Sequence, residues 1–318
     1  MTKTEETYLG MIFSCLGADD SITLTLLHRK AKCLGKAGEI KRKLEDERML
    51  GVGWLAAAST MFTSIITSTL TYGAAAMTGM NVKHWDLLEQ IQRQCLTHVL
   101  DISSRTTYKS LLFVMGIIPA QDTVKKLQIG FINNLLHIKE KGQCHDTIID
   151  DCNIGGIDGL LVEVREYCFQ YGLPDVTKHY IPPERISAQI NIKCLDRLWL
   201  SHLMAKKPPP MTRRENCGLK FYSNLPKNKA KLALLYDVGE LNFRRSRKYE
   251  AMKKYGSVSC LVPACNGTDE LGHVNQCFGY RSRLREDAGP YDIIEYLLEL
   301  ETERFVKFNR SLLNHRVL

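Results

Sequence analysis

A mainly α fold with few strands is predicted by three observations. Apolar residues recur at helical spacing in seven separate segments, whereas a strand-like pattern appears once, near the N-terminus. No self-similarity at a period of about 20 to 50 residues is apparent, which argues against a solenoid. Glycine and proline pairs fall between the periodic segments and not within them.

Taken in order, Tyr8-Leu9-Gly10-Met11-Ile12-Phe13 suits a short strand, because aromatic and branched side chains fit a pleated surface. Gly17-Ala18-Asp19-Asp20 is a polar turn, after which Ser21 can cap a helix reaching Leu34. That helix pairs apolar Ile22, Leu24, Leu26 and Leu27 with basic His28, Arg29, Lys30 and Lys32. Leu50 to Ala76 reads as a second helix, buried on most faces. Trp85, Leu88, Ile91, Gln92, Cys95 and Val99 mark a third, and Val124 to Ile138 a fourth, preceded by the break at Pro119. A loop with Gly155-Gly156 separates these from helical patterns at Leu160–Tyr171 and Glu184–Met204. Pro208-Pro209-Pro210 is a stiff linker. A final helix fits Tyr291 to Asn314, with Ile294, Leu298, Phe305, Phe308 and Leu312 as its seam.

The chain of 318 residues, 44% hydrophobic and 25% charged, is globular and not disordered, and two domains would be ordinary at this length. No secretory leader opens it, so its 11 cysteines are expected to be thiols or metal ligands in a nuclear or cytoplasmic protein that is not secreted. Met49 to Val82 carries no charge, but Ser59, Thr60, Thr63, Ser64 and Thr67 interrupt it. A buried helix is expected there in preference to a membrane span, which needs about 20 predominantly apolar residues.

The net charge of +8 is concentrated. Between Lys206 and Lys254 stand fourteen cations: Lys206, Lys207, Arg213, Arg214, Lys220, Lys227, Lys229, Lys231, Arg244, Arg245, Arg247, Lys248, Lys253 and Lys254. Four carboxylates oppose them, so this arm carries more positive charge than the whole chain. Phe221, Tyr222, Tyr236, Phe243, Tyr249 and Tyr255 are interleaved. Cations neutralise phosphates, and aromatic faces stack on unpaired bases. RNA or DNA is therefore the expected partner, with Arg213, Arg214, Lys227, Lys229, Arg244, Arg245, Arg247, Lys248, Tyr249, Lys253 and Lys254 as candidate contacts. The bland counterpart is a solvated helix face with ordinary core aromatics.

Cys260, Cys265, His273 and Cys277 form C-x4-C-x7-H-x3-C. Three thiolates and an imidazole fill a tetrahedral zinc shell with no open position, so the expected site is structural and not hydrolytic. Gly267 and Gly272 allow the chain to turn between ligands. A segment this short buries little, and metal binding would supply its folding energy. The second acidic and thiol-rich run, Cys144, His145, Asp150, Asp151 and Cys152, reads as a surface loop, and no catalytic residue is assigned.

In this order the features resemble a family. Tyr8-Leu9-Gly10 is similar to the short motif that follows the palm of non-LTR (LINE-type) retrotransposon reverse transcriptases. The basic helix, the apolar helix ending in Leu70-Thr71-Tyr72-Gly73-Ala74, and the CCHC cluster with Asp269-Glu270-Leu271-Gly272-His273 resemble that family's thumb and terminal knuckle. The resemblance implies an end of a palm-like strand at 1–20, a helical thumb-like domain at 21–140 and a helical spacer at 141–205. It further implies a basic arm at 206–255, a zinc knuckle at 256–285 and a C-terminal helix at 286–318. The palm aspartates of the parent RNA-directed DNA polymerase lie upstream of the Tyr-Leu-Gly motif. The expectation is a truncated, non-catalytic, nucleic-acid-binding fragment holding one structural zinc. The alternative is a zinc-stabilised helical module for protein–protein interaction, whose C-terminal seam pairs with a partner helix.

Overall fold

Two short strands precede the helices in the computed structural model: β1 (Glu5–Tyr8) and β2 (Met11–Ser14) pair antiparallel, with Tyr8 opposite Met11. The structure describes residues 5–8, 11–45, 53–102, 106–137 and 159–203, together with Lys227, Ala230, Lys231, Leu234, Leu235, Val238, Asn266, Gly267, Thr268 and His273. The single strand expected over Tyr8 to Phe13 is therefore a hairpin. The sequence between its paired ends is Leu9-Gly10, and glycine is favoured in two-residue hairpin connections.

The first helix, α1 (Ala18–Glu45), starts earlier and ends later than its pattern suggests. Asp19 and Asp20 stand in its first turn, where carboxylates complement the positive end of the helix dipole. Ser21 is thus not the cap. Its hydroxyl accepts from the Ser14 amide at 2.9 Å and donates to the Gly17 carbonyl at 2.7 Å, tying the hairpin to the helix. Gly35 and Gly38 do not end α1, because Ala37, Ile40 and Leu44 continue the buried seam of Ile22, Leu26, Arg29 and Cys33. Packing outweighs the roughly 1 kcal/mol that each interior glycine costs.

The chain then turns back through α2 (Trp54–Met61), a π-helical stretch (Phe62–Thr67), α3 (Ser68–Thr71) and a 3-10 turn (Ala74–Ala76). One helix buried on most faces was expected; the observed run is interrupted and two-sided. Leu55, Ala58, Phe62, Ile66 and Leu70 are buried, while Thr60, Thr63, Ser64 and Ser68 are exposed. Hydroxyls bond back to this run's own carbonyls: Ser64 to Thr60 at 2.8 Å, Thr69 to Ile65 at 2.6 Å and Thr71 to Thr67 at 2.8 Å. Such back-bonding competes with the regular ladder and accompanies helix distortion. Among the described residues no helix is long and apolar enough to cross a membrane.

Helix α4 (Val82–Leu100) begins with a capping box. The His84 amide donates to Asn81 Oδ1, and the Asn81 amide donates to His84 Nδ1. His84 Nε2 then lies 3.1 Å from Thr23 Oγ1. At the other end Lys41 Nζ meets Asp101 at 2.8 Å, so α1 and α4 run parallel. After α5 (Tyr108–Met115) come α6 (Ala120–His137), α7 (Leu160–Tyr171) and α8 (Pro183–Leu203). The last three match the predicted spacing closely; α5 was not anticipated.

Two apolar cores result. The larger gathers α1 through α5 with Ala120 and Val124 of α6 and Leu198 of α8. The smaller holds Ile129 and Ile132 of α6, Leu160, Val164 and Tyr171 of α7, and Ile186, Ile190 and Cys194 of α8. Helices α6 and α8 therefore contribute to both. Buried amides pin the joints. Gln92 Oε1 accepts from the Ala120 amide at 2.7 Å and from the Tyr108 hydroxyl, while its Nε2 donates to the Ile118 carbonyl at 3.0 Å. Asn133 Nδ2 donates to the Ile181 carbonyl at 2.9 Å, and its Oδ1 accepts from the Ile181 amide at 2.8 Å. The linker expected at 208–210, the loop expected at 142–158 and the helix expected at 291–314 lie outside the described residues.

Candidate nucleic-acid interface and metal centre

The buried seam of α1 fixes what its opposite face presents. With Leu26, Cys33, Ala37 and Ile40 inward, His28, Lys32, Lys36, Arg42 and Lys43 are exposed. Glu39 is the carboxylate among them, and Asp19, Asp20 and Glu45 stand at the helix ends. His28, Lys32 and Lys36 are successive residues of one i, i+4 row, rising about 6 Å per step. Lys36 Nζ also donates to Thr69 Oγ1 at 2.8 Å, which sets this end of the row beside α3. The result is a row of exposed basic residues along α1, suited to a polyanion backbone.

Other cations of the same region are spent inside the fold. Arg29 is 3% exposed. Its NH1 donates to the Leu70 carbonyl at 3.1 Å, in the last turn of α3, where a cation complements the negative helix end. Burial pulls its pKa down to about 10, so it stays protonated at neutral pH. Asp101 adopts a left-handed conformation (φ 52°) as the C-cap of α4 and accepts from Lys41 at 2.8 Å and Lys231 at 3.0 Å. Hydrogen bonds from these two lysines hold its carboxyl down at about 2.

Lys231 introduces the arm. Of the arm residues proposed as nucleic-acid contacts, the structure describes Lys227. Its ammonium donates to the Leu44 carbonyl near the end of α1 at 3.3 Å and stands 5.8 Å from the centre of the Trp54 ring. Ala230, Leu234 and Val238, each four residues apart, join the larger core. This stretch of the arm is thus an amphipathic piece docked on α1, α2 and α4. The four-residue spacing of Ala230, Leu234 and Val238 is the local signal of its apolar side, whereas its partner on α4 is remote in sequence. Arg213, Arg214, Lys229, Arg244, Arg245, Arg247, Lys248, Tyr249, Lys253 and Lys254 lie outside the described residues.

For the metal centre, His273 is described, and Cys260, Cys265 and Cys277 are not. Among the described residues no three His, Cys, Asp or Glu side chains converge on a point. One local feature does fit the candidate. The His273 ring lies directly against Gly267, in the space a Cβ would take. Cys265 precedes Gly267 by two residues, so covalent geometry alone keeps their Cα atoms within about 7.6 Å.

A polar cluster that no motif signalled sits where the two cores meet. Asp122, 3% exposed, accepts from the Tyr171 hydroxyl and the Arg197 guanidinium. Lys125, also buried, donates to Gln170 Oε1 at 3.0 Å, with the Tyr167 ring centre at 4.9 Å and that of Trp85 at 5.7 Å. Burial depresses the Lys125 pKa. Every charge here faces a partner within the fold, which is the pattern of a structural seam. No family model, curated protein or solved structure matches this chain.

Proposed function

We propose that this chain binds nucleic acid, through a helical body of the thumb type found in non-LTR retrotransposon reverse transcriptases, a basic arm and a CCHC zinc knuckle. The observation that supports it is the cationic ridge on α1: Lys32, Lys36 and Lys43 are exposed on one helix, with Lys36 on the Thr69 hydroxyl. Backbone contacts of this kind position a strand or duplex and carry no sequence code. The reading assigns binding and not polymerisation to these residues. Zinc, when bound by Cys260, Cys265, His273 and Cys277, supplies folding energy to the knuckle; those residues hold no open coordination position for chemistry.

The test is fluorescence anisotropy with labelled single-stranded RNA, single-stranded DNA and duplexes across a salt series. Binding should weaken steeply with salt. Replacing Arg244, Arg245, Arg247 and Lys248 by Ala should lower the log–log slope by roughly 0.7 to 0.9 per lost contact. Affinity and slope both unaltered in that variant would remove the arm from the interface.

A protein-interaction module is the second reading. It is favoured by Phe169, 88% exposed on α7, and by Ile192 and Leu200, more than half exposed on α8. Salt-independent capture of a protein, with no affinity for RNA or DNA, would select it over the first.

A further inference from the structure

We infer that Tyr72 is a stacking platform for an unpaired base, set beside the basic row of α1, so that this surface takes single-stranded nucleic acid; the inference rests on the nucleic-acid reading above. Its placement follows from how α1 lies against the run that ends in α3. Arg29 NH1 donates to the Leu70 carbonyl at 3.1 Å, and Cys33 Sγ donates to the Ile66 carbonyl at 3.8 Å. The earlier residue of α1 meets the later carbonyl, so the two segments run antiparallel. The bond from Lys36 Nζ to Thr69 Oγ1 at 2.8 Å then shows which flanks meet. Lys32 precedes Lys36 by one turn, and Tyr72 follows Thr69 by one turn, the spacings at which helical side chains share a face. Tyr72 keeps a helical φ of −57° as the C-cap of α3, so its Cβ leaves in the direction the helix sets. One turn along each antiparallel segment therefore brings the phenol ring to the level of Lys32.

The ring is available for this task. Tyr72 is 59% exposed and belongs to neither apolar core. The chain leaves the helix at this residue: ψ is 127°, and Gly73 follows at φ 65°. Tyr72 thus stands at a corner of the backbone, with exposed Lys32 and Lys36 along one side. The two kinds of side chain see different features of a nucleic acid. Ammonium groups meet phosphates of a single strand or a duplex alike. An aromatic ring needs an open base face, which a single strand offers along its length and a duplex keeps within its own stack. Tyr72 therefore adds affinity for single strands and not for duplex, and it carries no sequence code, because every base has a π-face.

The experiment uses the full chain as wild type, Tyr72→Ala, Tyr72→Phe and Lys32→Ala, with Phe169→Ala, a more exposed aromatic residue on α7, as control. Affinities for a mixed-sequence single-stranded RNA, its DNA counterpart and a blunt duplex are measured by anisotropy across a salt series. Tyr72→Ala should lose roughly 5- to 100-fold on single strands, with duplex affinity and the salt slope unchanged. Tyr72→Phe keeps the ring and should bind single strands within about twofold of wild type. Lys32→Ala should lower the slope on single strands and duplex alike, by roughly 0.7 to 0.9. Phe169→Ala should bind as wild type does. Unchanged single-strand affinity in Tyr72→Ala overturns the proposal. So does an equal loss on duplex, a loss in Tyr72→Phe as large as that in Tyr72→Ala, or a matching loss in Phe169→Ala; in each of these cases wild-type binding leaves the nucleic-acid reading standing. A wild type without affinity for any of the three probes overturns that reading and the proposal with it.

Discussion

Two sets of lysines a short distance apart do opposite things. Lys32 and Lys43 on α1 are exposed, and Lys36 donates to the Thr69 hydroxyl at 2.8 Å. Lys41 on the same helix, and Lys227 and Lys231 of the arm, are engaged by Asp101, the Leu44 carbonyl and the Trp54 ring. Sequence composition counts all six alike. The difference comes from the two acceptors at one end of the bundle: the Asp101 carboxylate on the left-handed cap of α4 and the Leu44 carbonyl near the end of α1. The lesson is that a basic segment can spend part of its charge holding itself in place. Here the docked stretch carries Ala230, Leu234 and Val238 into the core between its lysines.

The sharpest way to break this contrast is Leu234→Ala. Leu234 is fully buried, and truncation of such a residue costs about 2–4 kcal/mol through lost transfer energy and the cavity left behind. Urea denaturation should show that loss, while the salt slope of nucleic-acid binding stays unaltered. A change below about 0.5 kcal/mol would mean that the segment contributes charge and not packing.

The converse variant replaces Lys32, Lys36 and Lys43 by Ala. Stability should stay within about 0.5 kcal/mol per site, because exposed positions away from caps and cores contribute little. The log–log salt slope should fall by roughly 2 to 3 if all three meet phosphates. Loss of stability with an intact slope would reverse the assignment of the two sets.

The smallest effect belongs to Asp101. Its carboxyl sits at about 2 in the folded chain against an ordinary 3.8. A depressed folded pKa gives stability that is complete above the unfolded value and is lost as pH falls through the folded one. The window is therefore about pH 4 down to pH 2. Asp101 is 62% exposed, so solvent screening keeps the contribution below about 1 kcal/mol. Asp101→Asn tolerates the left-handed conformation and removes the charge alone. It should flatten the acid dependence of unfolding in that window and leave stability at pH 2 unchanged; an identical pH profile would show that the two lysines contribute nothing there.

The outcome for each element follows from what its sequence displays. Helices α4, α6, α7 and α8 are legible because each buries one stripe of apolar residues at helical spacing. Helix α5 was not, since Leu111, Leu112, Phe113, Val114 and Met115 are all buried and such a run has no period to detect. The hairpin was hidden because pairing across a two-residue connection leaves no trace in six residues of local pattern. Gly35 and Gly38 obscured the true end of α1. At the candidate site, residue types and spacing named the cysteines and His273. That the His273 ring lies against Gly267 is a fact of three-dimensional contact. The docked part of the arm was concealed differently: its partner, Asp101, lies 130 positions away from Lys231.

Helices α6 and α8 run through both cores, and this determines how the described body comes apart. Neither core can lose order while the other keeps its full complement of side chains, because Ala120 and Val124 are on the same rod as Ile129 and Ile132. The Asp122–Arg197–Tyr171 cluster is the rivet at the crossing. Melting should then be a single cooperative event, and the amide protons of α6 should exchange only through global opening, with the same free energy at both of its ends.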